Sequence, residues 1–214
     1  MMSKKLVIIG ASELGSLVKY YAEDSGDYKV VGYYDDFKTK DTRLNGIKII
    51  GTVNNVLNDF HSNIFEYLFI AIGYNHMDKR KYYFNQFKDS IPFPNIIHRS
   101  AYIDSSVKLG KGNIVFPGCV VDCFSELKDN ILLNTGVSIA HHTTIQSHCF
   151  IAPGVSFAGR VNIGESCFIG IGSIITDLVN ISKGCIIGGG SLVFNNTEPD
   201  QLLYGSPAKV IRKL

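Results

Sequence analysis

From Ile103 to Val193 every sixth residue is aliphatic or phenylalanine, without a break. The series is Ile103, Leu109, Val115, Val121, Leu127, Leu133, Ile139, Ile145, Ile151, Phe157, Ile163, Ile169, Ile175, Ile181, Ile187 and Val193. A period of six fits neither a helix, near 3.6, nor a strand, at 2. It fits a hexapeptide β-helix, in which each short strand makes one wall of a triangular coil. Sixteen positions at three walls per coil give 16/3, a little over five coils. Inner sites filled by Ile, Val, Leu and small residues make a dry packed interior, not a channel. The unbroken register leaves no place for a large loop inserted into the prism.

The rest of the composition narrows the setting. A formal charge of +2 and the absence of a basic run give no support for nucleic-acid binding or a membrane surface. Lys4 and Lys5 precede apolar Leu6-Val7-Ile8-Ile9, but that run stops at Gly10, too short for a signal peptide. No segment approaches the roughly 18–20 apolar residues of a membrane span. The expected location is the cytoplasm. Four of the five cysteines, Cys119, Cys149, Cys167 and Cys185, sit two residues before a hexad position, where Ala, Val, Ser and Thr stand in other hexads. They read as buried structural thiols rather than as disulfides or metal ligands.

Residues 1 to about 97 do not share the repeat. Lys5–Ile9 is a short apolar strand ending at Gly10-Ala11-Ser12-Glu13-Leu14-Gly15, and Leu14, Leu17, Val18, Tyr21 and Ala22 have helical spacing. Tyr28–Tyr34 is a second strand, ending at Asp35-Asp36, and Tyr67–Gly73 a third. A helix from about Asp78 to Phe87 follows, and Pro92 and Pro94 punctuate the boundary. Strand, glycine turn, helix, strand is a βαβ unit on a small parallel sheet. The fold class is therefore a Rossmann-like α/β domain, residues 1–97, followed by an all-β helix of hexapeptide repeats, residues 98–214, with a short tail.

Two places in this chain could carry chemistry. Backbone amides at a helix start favour phosphate, and glycines let the backbone come close. An acidic residue about 20 residues further on holds a ribose or base in Rossmann units. Asp35 and Asp36 stand at that distance, although no middle glycine lies between Gly10 and Gly15. A nucleotide site and an ordinary strand–helix turn both fit. The domain is too short for a whole dinucleotide fold, so a mononucleotide is the better ligand class. The second place is Asn134-Thr135-Gly136 … His141-His142 in the repeats. His141 follows inward Ile139 by two residues and should emerge near a corner, where an imidazole can act as a base near neutral pH. A surface or interface histidine fits the same pattern. Zinc would need three converging ligands, and His148 stands one hexad beyond His142, on the next wall. No metal is expected.

The stretch Leu133-Asn134-Thr135-Gly136 … His141 … Ile151-Ala152-Pro153-Gly154 … Ala158-Gly159 … Ile163-Gly164, with Tyr204-Gly205-Ser206-Pro207-Ala208-Lys209, resembles the bacterial nucleotide-sugar acetyltransferases of the left-handed β-helix superfamily. These N-acetylate UDP- or dTDP-linked 4-amino sugars, as in the bacillosamine pathway, and have sialic-acid O-acetylating relatives. Ile9-Gly10-Ala11-Ser12 … Gly15 and Asp35-Asp36-Phe37 extend the resemblance over nearly the whole chain.

The resemblance implies an acetyl-CoA-dependent N-acetyltransferase of a UDP- or dTDP-linked 4-amino-4,6-dideoxy sugar, serving bacterial surface glycan or glycoprotein synthesis. It implies a left-handed coil, and a homotrimer with active sites between subunits. By resemblance His141 is the general base, Asn134 helps orient substrate, and the Gly159 amide stabilises the oxyanion. Gly159, Ile171, Gly172, Gly189, Pro207 and Ala208 would hold acetyl-CoA. Gly10, Ala11 and Ser12 would face the diphosphate, and Asp35 and Asp36 the base of the nucleotide. Members usually carry an acidic residue beside the base, where this chain has Ala140 and His142. They often have a second histidine where Phe150 stands, and a histidine where Leu14 stands. A sugar O-acetyltransferase, a zinc hydratase of the carbonic-anhydrase type and a non-catalytic scaffold are the competing readings.

Overall fold

Strand β1 (Lys4–Ile9) has its last four side chains, Leu6 to Ile9, at most 2% exposed. Burial on both faces is what a run of consecutive aliphatics produces in a parallel sheet. The computed structural model describes residues 3–214 and forms two compact units, one ending at Ile97 and one from His98 to Leu214. In the first unit β1 is an inner strand. It pairs in parallel with β2 (Tyr28–Tyr34) on one side and with Tyr67–Ile70 on the other. Helix α1 (Glu13–Asp24) connects β1 to β2 and buries Gly15, Val18 and Ala22.

Sequence reading passed over a hairpin beyond β2. Strands β3 (Arg43–Leu44) and β4 (Ile47–Gly51) pair antiparallel, and β4 then adds in parallel to β2. Asn45 and Gly46 join them with φ of 49° and 81°. Asn-Gly is the dipeptide that a two-residue turn with two positive φ values prefers, so the signal was there. A short helix, α2 (Val56–His61), leads to β5 (Tyr67–Ile70), and α3 (Met77–Phe87) follows.

The glycine turn is held by close approach. A Cβ on Gly15 would stand 2.2 Å from the Gly10 carbonyl oxygen, and one on Gly10 2.6 Å from that of Ala71. Gly10 also has φ +104°, a region that L side chains avoid. Gly15→Ala should therefore lower unfolding stability by about 1–3 kcal/mol, the cost of overpacking. A urea midpoint equal to wild type would show that the turn opens freely.

The second unit follows the hexads. Sixteen two-residue strands run from Tyr102–Ile103 to Leu192–Val193, one at each hexad. All but the last three pair in parallel with the strand 18 residues on, as in Val121↔Ile139, Ile139↔Phe157 and Phe157↔Ile175. Three parallel walls result, and this is a parallel β-helix. From Val115 to Val193 every hexad residue is at most 3% exposed, whereas Ile103 and Leu109 in the first coil are only partly covered. Gln201–Tyr204 adds to the wall strand Ile186–Ile187, then turns back as Lys209–Lys213.

The small residues two before each hexad are more than fillers. Ser125, Thr143 and Ser173 donate to the carbonyls of Ala140, Ala158 and Gly188, fifteen residues on, at 3.0–3.2 Å. Cys149 and Cys167 donate to Gly164 and Ser182 in the same way, both at 3.1 Å. Each of these five side chains satisfies a carbonyl fifteen residues on with a short donor. Contact with Cys149, then burial, pushes the Cys167 thiol far up, so it stays protonated and able to donate. Sequence reading saw the smallness and missed the donor.

Candidate active site

Strand Ser138–Ile139 buries Ile139 and delivers the turn Ala140–Thr143 to one corner of the β-helix. The turn is tied to its neighbours along the coil axis. His142 N–H donates to Cys123 O at 3.0 Å, and Arg160 N–H donates to His141 O at 3.0 Å. His142 takes φ +58°. Both histidine side chains are exposed, as expected for a corner.

Gly159 lies one coil, 18 residues, beyond His141. A Cβ at Gly159 would stand 2.8 Å from His141 Cε1 and 2.9 Å from Nε2. The imidazole thus fills the space that any side chain at 159 would need. Among the described residues, none accepts the Gly159 N–H, while its carbonyl accepts from Leu178 N–H at 3.1 Å. A titratable imidazole and an uncommitted backbone donor stand side by side, the two parts that acyl transfer needs. His141 Nδ1 is 3.1 Å from His142 Nδ1, and the His142 ring packs on Phe124 with centroids 5.0 Å apart.

Asn134 is elsewhere. It follows the wall strand Leu132–Leu133, one corner away from His141. Its side-chain Oδ1 accepts Thr135 N–H at 2.8 Å. One chain therefore does not bring Asn134 and His141 together. That second corner is a column of X–Gly turns, Pro117-Gly118, Thr135-Gly136, Pro153-Gly154, Ile171-Gly172 and Gly189-Gly190, with the second residue of each at positive φ. Ile171 is exposed there, and a Cβ on Gly189 would meet its Cγ2 at 3.0 Å. The tail crosses the same end of the coil. Gly205 N–H reaches Ser191 Oγ at 3.1 Å, and Ala208 N–H reaches Leu192 O at 2.8 Å. The residues expected to hold acetyl-CoA, apart from Gly159, are thus grouped on a different corner from the expected base.

In the first unit, a cleft of about 530 Å³ opens where β1, β2 and β5 end. Strands β2 and β5 flank β1 on opposite sides, so the strand order reverses there, and such switch points are where open α/β sheets bind ligands. Gly10, Ser12, Asp35 and Asp36 line it, and Ala11 does not. Ala11 N–H is instead committed to Asp35 Oδ2 at 2.8 Å, while Asp35 Oδ1 accepts Phe37 N–H at 2.9 Å. Asp36 accepts Val53 N–H on Oδ1 and the Tyr83 hydroxyl on Oδ2, each at 2.9 Å. Burial, then the bond to Asp36, pushes Tyr83 up to about 12, so it remains a donor at neutral pH. Each carboxylate oxygen keeps one lone-pair direction for a ligand. Phe37, almost fully exposed, stands at the rim, and His76 and Lys79 supply an imidazole and an ammonium group. Sequence reading missed His76, Lys79 and Tyr83. Their signal was position alone, in the segment that follows the carboxyl end of edge strand β5 (Tyr67–Ile70).

Among the described residues, no three His, Cys, Asp or Glu side chains gather as a metal would require. His148 is 4% exposed, with Nδ1 against Asn130 Nδ2 at 2.9 Å, on a different turn column from His141 and His142. It is a buried structural group, and it does not replace the histidine that Phe150 lacks.

Comparison with known proteins gives the geometry its setting. Residues 5–87 match the PglD N-terminal domain. The chain superposes on the acetyltransferase domain of PglB from Neisseria gonorrhoeae, in complex with acetyl coenzyme A, with a TM-score of 0.89 at 29% identity, covering 98% of this chain and 100% of that one. A histidine-to-alanine mutant of GDP-perosamine N-acetyl transferase from Caulobacter crescentus, in complex with CoA and GDP-perosamine, gives 0.88 at 28%, covering 98% and 97%. The chain is an acetyltransferase of the hexapeptide β-helix type. WeeI from Acinetobacter baumannii, at 22% identity and TM-score 0.83 over 96% of this chain and 99% of that one, shares the fold of this acetyltransferase.

Proposed function

We propose that this acetyltransferase transfers the acetyl group of acetyl-CoA to the amine of a nucleotide-linked amino sugar, with His141 as base. The observation that carries the reading is the His141 imidazole lying against Gly159, whose amide has no protein acceptor among the described residues. The neutral sugar amine attacks the thioester carbonyl, forming the N–C bond, and its nitrogen gives one proton to His141 Nε2. The Gly159 N–H donates to the oxyanion of the tetrahedral intermediate. Collapse breaks the C–S bond, and the proton held by His141 returns to the departing thiolate. Amide and CoA thiol leave, and the imidazole is neutral again.

The corner bearing Ile171, Gly172 and Gly189, with Pro207 and Ala208, suits the cofactor. Because it and Asn134 stand on a different corner from His141, a complete site takes one corner from each of two copies. A homotrimer supplies three such sites. In the first unit, Asp36 and Asp35 can only accept hydrogen bonds, so the edge they meet must carry N–H donors. Uracil and thymine offer one such N–H, and guanine offers an N–H beside an amino group. The Lys79 ammonium and the His76 ring N–H suit the diphosphate better than Ala11, whose amide is taken. The acceptor is read as a 4-amino-4,6-dideoxy sugar.

Thiol release from acetyl-CoA should appear with at least one UDP-, dTDP- or GDP-linked 4-amino sugar. Release with free sialic acid alone would favour the O-acetylating reading, and release with no acceptor would overturn both. Asp36→Asn should raise KM for the nucleotide sugar about tenfold or more, since hydrogen bonds to a charged group contribute roughly 1.5–3 kcal/mol. The KM for acetyl-CoA should stay put.

A further inference from the structure

His142 and His141 face each other nitrogen to nitrogen. Their Nδ1 atoms lie 3.1 Å apart, with the rings at 88° to one another. Such a contact between two imidazoles needs one nitrogen to carry a proton and the other a lone pair. We propose that His142 is the positioning residue of His141, a neutral partner that accepts the His141 Nδ1 proton and so leaves the Nε2 lone pair for the substrate amine. The proposal rests on the functional reading above.

The direction of the hydrogen bond follows from the surroundings. The edge of His141 that bears Cε1 and Nε2 is the one against Gly159. The base must present its lone pair on that edge, so Nδ1 must hold the proton. Once Nε2 takes the amine proton, His141 is an imidazolium, and His142 Nδ1 still accepts from it. The positive charge is then shared with a second ring, with no carboxylate involved.

The charged and titratable groups on the neighbouring turns are Asp122 and Cys123 one coil before, Arg160 one coil after and Asp177 beyond it. Asp122 Oδ1 is occupied by Cys123 N–H at 2.7 Å. Arg160 occupies the turn position one coil above His142.

The backbone here is not built for histidine in particular. Phe124, Arg160 and Leu178 hold the equivalent turn position with φ of 60°, 58° and 64°. The left-handed conformation belongs to the fold, and the imidazole is this chain's own choice. That equivalence also provides a clean variant, because leucine already folds at this position in Leu178.

The test compares His142→Leu, His142→Asn and His142→Asp by the pH dependence of kcat and kcat/KM. His142→Leu should lower kcat on the order of tenfold to a hundredfold, as lost orienting partners do, with KM for acetyl-CoA little changed. His142→Asn keeps a neutral acceptor and should recover most of the loss. His142→Asp should also recover it and move the acid limb of kcat/KM to higher pH. An adjacent carboxylate stabilises the His141 imidazolium, so more alkaline solution is needed to free the base. Wild-type kcat and an unmoved acid limb in His142→Leu would overturn the proposal. So would equal losses in all three variants without movement of that limb, the mark of a merely structural role. Inactivity of His141→Ala alongside either result leaves the functional reading standing, whereas full activity of His141→Ala removes that reading first.

Discussion

Replacing His141 by alanine should lower turnover with amino sugar by about 10²- to 10⁴-fold, the usual contribution of a general base. The fold should survive, because His141 is exposed on its corner and its backbone bond to Arg160 N–H does not involve the side chain. Binding of acetyl-CoA, measured by calorimetry, should be nearly unchanged, since the proposed cofactor residues stand on another corner. The split between binding and turnover separates a base from a binding residue. Turnover like that of wild type would sink the mechanism and bring the scaffold reading forward.

The second large effect falls on a residue without a side chain. Gly159→Ala places a methyl group 2.8–2.9 Å from the His141 ring, closer than carbon atoms tolerate. The ring sits at the exposed end of a short side chain, so the ring moves and the chain stays folded. Base and oxyanion donor are then forced apart, and small displacements of reacting groups are costly in rate. We expect kcat to fall about 10²-fold or more, as when one oxyanion donor is lost, with a thermal midpoint within a few degrees of wild type. The same kcat in the alanine variant would mean that the contact between His141 and Gly159 plays no part in the reaction.

How much of this was legible beforehand divides along physical lines. A repeat states itself: each hexad from Ile103 to Val193 became one wall strand, because a fixed spacing leaves a single way to bury every member. The βαβ start was equally visible in Leu6–Ile9, the glycine turn and Tyr28–Tyr34. Polar function inside the repeat was harder to see. Ser125 and Thr143 are donors across fifteen residues, a separation that no local pattern announces. The closeness of His141 and Gly159 could be counted from the coil length of 18, yet their contact could not. Likewise Asp36 and Tyr83, 47 residues apart, meet only once the sheet has formed. The commitment of Ala11 to Asp35 was hidden for the same reason, and it takes from the glycine turn an amide expected to face phosphate.

The four left-handed positions Phe124, His142, Arg160 and Leu178 share one backbone shape at successive storeys of the same corner. Storey and side chain are therefore independent variables. Moving the histidine pair up or down by 18 residues, together with the glycine one coil beyond it, would change the height of the site without asking for a new turn. The distance between chemistry and the ends of the coil is thus adjustable in steps of one storey, and a lineage of such enzymes can fit acceptors of different reach while keeping its architecture.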